Sequence, residues 1–135
     1  MGSFLSSTKK SMELDKNKES MELDKNTALD KAKELSTSSP VVVFSKTYCG
    51  YCKRVKQLFT QIGASFKVIE LDEQSDGGDI QLALGEWTGQ RTVPNVFIGG
   101  KHIGGCDTVL GKYHGGQLLP LLTDAGATVN NSAQL

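Results

Sequence analysis

Two cysteines three positions apart, Cys49 and Cys52, sit within the densest chemistry of the chain, Lys46-Thr47-Tyr48-Cys49-Gly50-Tyr51-Cys52-Lys53-Arg54. A pair at this spacing can hold a metal, close a structural disulfide, or cycle between dithiol and disulfide. A purely structural bridge would close too small a loop to restrain an unfolded chain much. Zinc would have Cys49, Cys52, His102 and Cys106 as ligands, but the short-spaced second pair of ordinary zinc modules is missing. The surroundings favour redox cycling. An apolar run ends just before Cys49 and a helical pattern begins just after it, so the sulfur meets unpaired N–H groups and the positive end of a helix dipole. Lys46, Lys53 and Arg54 add positive charge. The expectation is a Cys49 thiol acidified into the range of roughly 3.5 to 7.5. Cys52, nearly one turn later, lies close by but further from solvent, which assigns attack to Cys49 and resolution to Cys52.

The elements that must hold this pair can be read from periodicity. Residues 41–45, VVVFS, form a continuous apolar run, as in a strand covered on both faces. Val55, Leu58, Phe59 and Ile62 share one face of a helix over 50–62, and Gly63 stops it. Residues 66–71 alternate as a second strand. After the Asp76-Gly77-Gly78 turn, Ile80, Ala83, Leu84 and Trp87 suit a helix ending at Gly89. A third strand begins at Pro94, Gly99-Gly100 turns, and Lys101-His102-Ile103 returns as a fourth. Helices follow at about 106–114 and 117–125. A preceding helix from Asn26 or Thr27 has Ala28, Leu29, Ala32 and Leu35 spaced for one buried face, and Pro40 closes it. The order implies an α/β chain with a four-stranded mixed sheet flanked by helices, the thioredoxin-like arrangement.

Composition limits what else the chain can do. The 135 residues hold fifteen basic and fifteen acidic side chains, seven of each in 1–39 and eight of each in 40–135. No basic footprint for nucleic acid exists, and no apolar run reaches the roughly 20 residues that span a bilayer. Residues 1–39 lack a signal-peptide core and any Arg, so the expectation is a cytoplasmic protein. Three cysteines are too few, and odd in number, for a secreted disulfide framework. SMELDKN at 11–17 recurs at 20–26, a period that puts Leu14 and Leu23 on opposite helix sides. Residues 1–25 therefore read as a flexible tail, 26–127 as one domain, and 128–135 as a second flexible tail. Met1-Gly2-Ser3-Phe4-Leu5-Ser6 fits the N-myristoylation pattern at Gly2, and a coincidental Gly-Ser start fits equally well. One acyl chain would give only weak, reversible membrane contact.

KTYCGYC, TVPNVFIGG and HIGGCD, in that order and spacing, resemble a glutaredoxin, and the CGYC version resembles the plant C-type members of the dithiol class. Thioredoxins, the nearest confusable family, typically have Trp before the first Cys and Gly-Pro between the pair; here Tyr48 and Gly50-Tyr51 stand in those places. The resemblance implies a glutathione-dependent oxidoreductase acting on protein–glutathione mixed disulfides and small disulfides. It implies a cis Val93–Pro94 bond, with Thr92, Val93 and Pro94 lining the site so that Val93 pairs with extended glutathione as an added strand. It implies Lys46 on the glycyl carboxylate with Gln81 as helper, Arg91 as a further candidate, and Tyr51 beside the bound sulfur. Gly105, Cys106 and Asp107 would meet the γ-glutamyl end. Cys106 suits a small helix-start residue, with a second redox thiol as the alternative; His102, His114 and Trp87 read as structural. The commoner family pattern has proline at position 50, and glycine there loosens the turn. One chain exposes one thiolate, so a 2Fe-2S cluster would need Cys49 from each of two subunits and two glutathiones, a homodimer alternating with a monomeric apo form.

Overall fold

The computed structural model describes residues 27–127. The two tails, with the nine-residue repeat and the Gly2 pattern, lie outside the described residues, as does Asn26. Within them the chain runs α1 (27–36), β1 (Val41–Ser45), α2 (Gly50–Gln61), β2 (Lys67–Glu70), a 3-10 turn (Leu71–Glu73), α3 (Gly77–Thr88), β3 (Asn95–Ile98), β4 (Lys101–Gly104), α4 (Cys106–His114) and α5 (Leu118–Asp124).

β1 is buried at all five positions because it lies inside the sheet, whose order is β2-β1-β3-β4. It pairs parallel with β2 and antiparallel with β3, and β3 pairs antiparallel with β4, so the sheet is mixed as expected. The continuous apolar run is explained by helices on both faces. Successive strand side chains point to opposite sides. Accordingly Val41 and Val43 join Val96, Ile98, Val55, Phe59, Val109, Leu118 and Leu122 in the core under α2, α4 and α5. Val42, Phe44 and Phe97 join Ala28, Ala32, Ile80 and Leu84 under α1 and α3.

Boundaries differ from the periodic reading in places with local causes. Leu71 does not extend the second strand; it opens the 3-10 turn. Gly77 and Gly78, expected in a turn, form the first turn of α3. The reason is a close approach: a Cβ on Gly77 would stand 1.8 Å from the Leu71 carbonyl oxygen, so only glycine lets the helix start against that turn. α3 ends at Gly89 with φ 83°, a left-handed cap. Pro94 lies just before β3 rather than in it. No helix among the described residues is long and apolar enough to cross a membrane.

Candidate active site

The β1-to-α2 connection, the loop before β3 and the start of α4 build the site. Cys49 caps α2 with an extended backbone (φ −87°, ψ 118°), and its Sγ accepts the Cys52 N–H at 3.2 Å. Sulfur here takes the place of the Ser or Asp oxygen at an ordinary helix start, where negative charge is best placed. The Cys49 N–H is in turn tied to the Lys46 carbonyl at 3.0 Å. Cys49 is half-buried and Cys52 has no exposed surface. Burial pushes the Cys52 thiol up to about 11, aided by the adjacent Cys49 sulfur and opposed by hydrogen bonds from the Lys46 backbone and the Ser45 side chain. The asymmetry expected from spacing is therefore present as a difference in access and environment.

From the opposite side, the Val93 carbonyl lies 3.7 Å from Cys49 Sγ, and the Val93–Pro94 bond is cis. Thr92 is exposed, Val93 half-buried and Pro94 buried. Gln81, on α3, donates from Nε2 to the Arg91 carbonyl at 2.8 Å, which leaves one amide N–H of Gln81 for a ligand. Gly105 precedes α4 and abuts the same loop, since a Cβ there would be 3.5 Å from the Pro94 carbonyl oxygen. Cys106 is the first residue of α4 and is 6% exposed; burial pushes its thiol up, with Arg54 working the other way. Asp107 is exposed in the first turn of α4. Tyr48 and Tyr51 flank Cys49 in the chain and are 72% and 62% exposed.

Among the described residues no group of three His, Cys, Asp or Glu side chains could hold a metal ion, so Cys49, Cys52, His102 and Cys106 do not converge as a zinc site. His102 pairs with Gln90 at 3.1 Å, Trp87 stacks on Phe97 with centroids 5.3 Å apart, and His114 contacts Tyr113.

Two residues of the site escaped the sequence reading. Asp72 accepts the Thr47 N–H at 3.0 Å and the Thr47 hydroxyl, which fixes the loop between β1 and Cys49. Those bonds, with Lys46 nearby, hold its carboxyl below the usual carboxylate range. Gln90 donates from Nε2 to the Thr92 carbonyl at 3.2 Å and the Pro94 carbonyl at 2.9 Å. Neither belongs to a periodic pattern; the only available signal was a lone polar residue at the edge of a loop that carries a motif.

Comparison with known proteins agrees with this geometry. The family model described as Glutaredoxin matches residues 41–103. Glutaredoxin-C1 of Arabidopsis thaliana is 62% identical over 135 residues, covering all of both chains. A glutaredoxin of Ricinus communis is 68% identical over 100 residues, 74% of this chain and 98% of the relative. Among solved structures, the holo form of glutaredoxin C1 from Populus tremula x tremuloides matches with a TM-score of 0.76 at 68% identity, covering 80% of this chain and 97% of that one. A buckwheat glutaredoxin–glutathione complex matches with a TM-score of 0.77 at 64% identity, covering 78% and 96%. With its motifs, its thioredoxin-like sheet and these relatives in agreement, the chain belongs to the glutaredoxin family of glutathione-dependent oxidoreductases.

Proposed function

We propose that Cys49 is the nucleophile in the reduction of protein–glutathione mixed disulfides and low-molecular-weight disulfides. One observation carries this reading: a half-exposed sulfur at a helix start accepts a backbone N–H at 3.2 Å, while its neighbour Cys52 is fully buried. The Cys49 thiolate attacks the glutathione sulfur of a mixed disulfide. The S–S bond breaks, the protein thiolate leaves and takes up a proton, and Cys49 carries glutathione. A second glutathione thiolate attacks that glutathione sulfur, forms glutathione disulfide and regenerates Cys49. One mixed disulfide and one glutathione thus yield one protein thiol and one glutathione disulfide. For protein disulfides, Cys52 displaces the substrate sulfur from Cys49 and closes the Cys49–Cys52 bridge.

In this reading glutathione lies along the loop at Thr92, Val93 and Pro94, pairing with Val93 as an added strand. Lys46 meets the glycyl carboxylate with Gln81 as helper, Tyr51 flanks the sulfur, and Gly105, Cys106 and Asp107 receive the γ-glutamyl end. Support comes from the Val93 carbonyl 3.7 Å from Cys49 Sγ and from Gly105 seated against the Pro94 carbonyl. The 64% identical buckwheat protein solved with glutathione adds to it. Steady-state reduction of a hydroxyethyl disulfide and glutathione mixture tests the roles. Cys49→Ser should be inactive and Cys52→Ser should keep much of the rate; the reverse ranking would reassign the sulfurs.

A second state, a 2Fe-2S cluster shared by two subunits, is favoured by Gly50. A Cβ there would meet nothing within 4 Å, so nothing inside the monomer requires glycine. The residues fit a shared group: each chain offers one accessible thiol, Cys49, and two glutathiones would complete the set. Bound there, the cluster would cap Cys49 with oxygen-sensitive iron and sulfide. The 68% identical poplar protein was solved in a holo form. Anaerobic reconstitution followed by gel filtration should give a coloured dimer, and a colourless monomer would end this second reading.

The proposed setting is the cytoplasm, with reversible membrane contact if Gly2 is acylated. Mass spectrometry of the native amino terminus decides the latter: retained Met1 or an unmodified Gly2 removes it.

A further inference from the structure

The loop that faces Cys49 is gripped at two of its carbonyls by one side chain, Gln90, which also bonds through its amide oxygen. Gln90 has two N–H donors on Nε2, and they reach the Thr92 carbonyl at 3.2 Å and the Pro94 carbonyl at 2.9 Å. Its Oε1 faces His102 Nε2 at 3.1 Å. The amide orientation follows from this set, because turning it over would place its oxygen against two carbonyl oxygens. With Oε1 as acceptor, the His102 Nε2 must carry the proton. His102 is itself located by its ring against Phe97, with centroids 5.3 Å apart, and Phe97 is fully buried. Gln90 is further fixed from its own backbone, whose N–H donates to the Thr88 hydroxyl at 3.1 Å.

The carbonyls along this loop divide in a regular way. That of Arg91 is taken by Gln81, and those of Thr92 and Pro94 by Gln90. The Val93 carbonyl alone turns to the Cys49 sulfur. The same Gln90 Nε2 would lie 3.5 Å from a Cβ on Gly105, so the amide bonded to the Val93 segment also lies beside the segment that opens α4. The amide therefore sits at the junction of two parts of one groove, which also meet directly where Gly105 lies against the Pro94 carbonyl.

We propose that Gln90, oriented by His102, is a positioning residue that sets the Val93 peptide for glutathione and couples it to the α4 end of the groove. The inference rests on the reading above in which glutathione pairs with Val93. Gln90 touches neither sulfur, so its loss acts on binding and leaves the exchange chemistry of Cys49 intact. A residue that merely held the fold together would lower thermal stability and the active fraction together, with no selective effect on glutathione.

Kinetics with a glutathionylated peptide varied to saturation at fixed glutathione distinguish these cases, because the glutathionyl moiety of that substrate is what the groove receives. Gln90→Glu keeps the shape and at neutral pH has no donor for the two carbonyls. Gln90→Met keeps the length without a charge, and carries the test if the carboxylate prevents folding. Both should raise the KM for the glutathionylated peptide about tenfold, with kcat within about twofold of wild type. His102→Phe, which keeps an aromatic ring against Phe97 but frees Oε1, should raise KM about threefold. Variants sharing the wild-type KM, or losing kcat by at least as much as KM rises, would overturn the proposal. Failure of the underlying reading looks different: wild-type turnover that does not respond to glutathione at all.

Discussion

Cys49 and Cys52 are joined by a hydrogen bond from the Cys52 N–H to the Cys49 sulfur at 3.2 Å, yet the two sulfurs live in different media. Cys52 is fully buried and its thiol is pushed up to about 11. At neutral pH Cys52 is therefore almost entirely protonated. Cys106 is buried too, with its thiol shifted in the same direction. Iodoacetamide at pH 7 should therefore modify Cys49 first, at least a hundredfold faster than either other thiol, as read by peptide mapping. Equal labelling of Cys49 and Cys106 would contradict the assignment. The sign of the stability effect is also fixed. A folded-state value above the unfolded 9.0 gives a contribution that is complete below about pH 9 and lost as pH rises through about 11.

The Asp72 carboxyl, held low by its bonds to Thr47, gives the opposite pH dependence. A depressed acid contributes stability above its unfolded value of 3.8 and loses it as pH falls through the lower folded value. Asp72→Ala should release the loop that leads into Cys49. Hydrogen exchange at fixed pH should show the Thr47 amide exchanging about tenfold faster in the variant; unchanged protection would show that the loop is held some other way.

Gly50 offers a substitution that separates fold from assembly. It opens α2, where a missing N–H costs little, and Cys49 before it is already extended, as a residue preceding proline must be. Gly50→Pro should keep or raise monomer stability, by up to about 1 kcal/mol through the unfolded state. The same change should greatly reduce recovery of the cluster-bound dimer. A Gly50→Pro protein that assembles a cluster as well as wild type would remove Gly50 from the argument for a second state.

Gly77→Ala tests the packing of the turn before α3. Its Cβ would overlap the Leu71 carbonyl oxygen, so backbone must move. Thermal unfolding should show a loss of about 2 kcal/mol or more, at the level of other overpacked sites. A midpoint like that of wild type would mean the turn shifts freely.

How far the sequence revealed this arrangement can be traced residue by residue. The apolar run at Val41–Ser45 and the 3.6-residue pattern of Val55, Leu58 and Phe59 announced a buried strand followed by a helix, because burial itself imposes those periods. Cys49 at that junction was legible for the same reason. Leu71 was misread as strand because it is buried and apolar like a strand residue; the turn depends on Gly77 approaching its carbonyl, a contact between segments. Asp72 and Gln90 were invisible for a related reason. Each does its work by reaching backbone groups of a loop folded beside it, and single polar residues carry no period. The glutathione-binding roles proposed for Lys46, Gln81 and Asp107 rest on the family resemblance.

The most direct test is a single turnover. Wild-type protein and Cys52→Ser are mixed with one equivalent of a glutathionylated peptide at neutral pH, quenched with acid within seconds, and mapped by mass spectrometry. The account predicts free peptide thiol and glutathione attached to Cys49, persisting in Cys52→Ser. Glutathione found on Cys52 or Cys106 with Cys49 unmodified would contradict it.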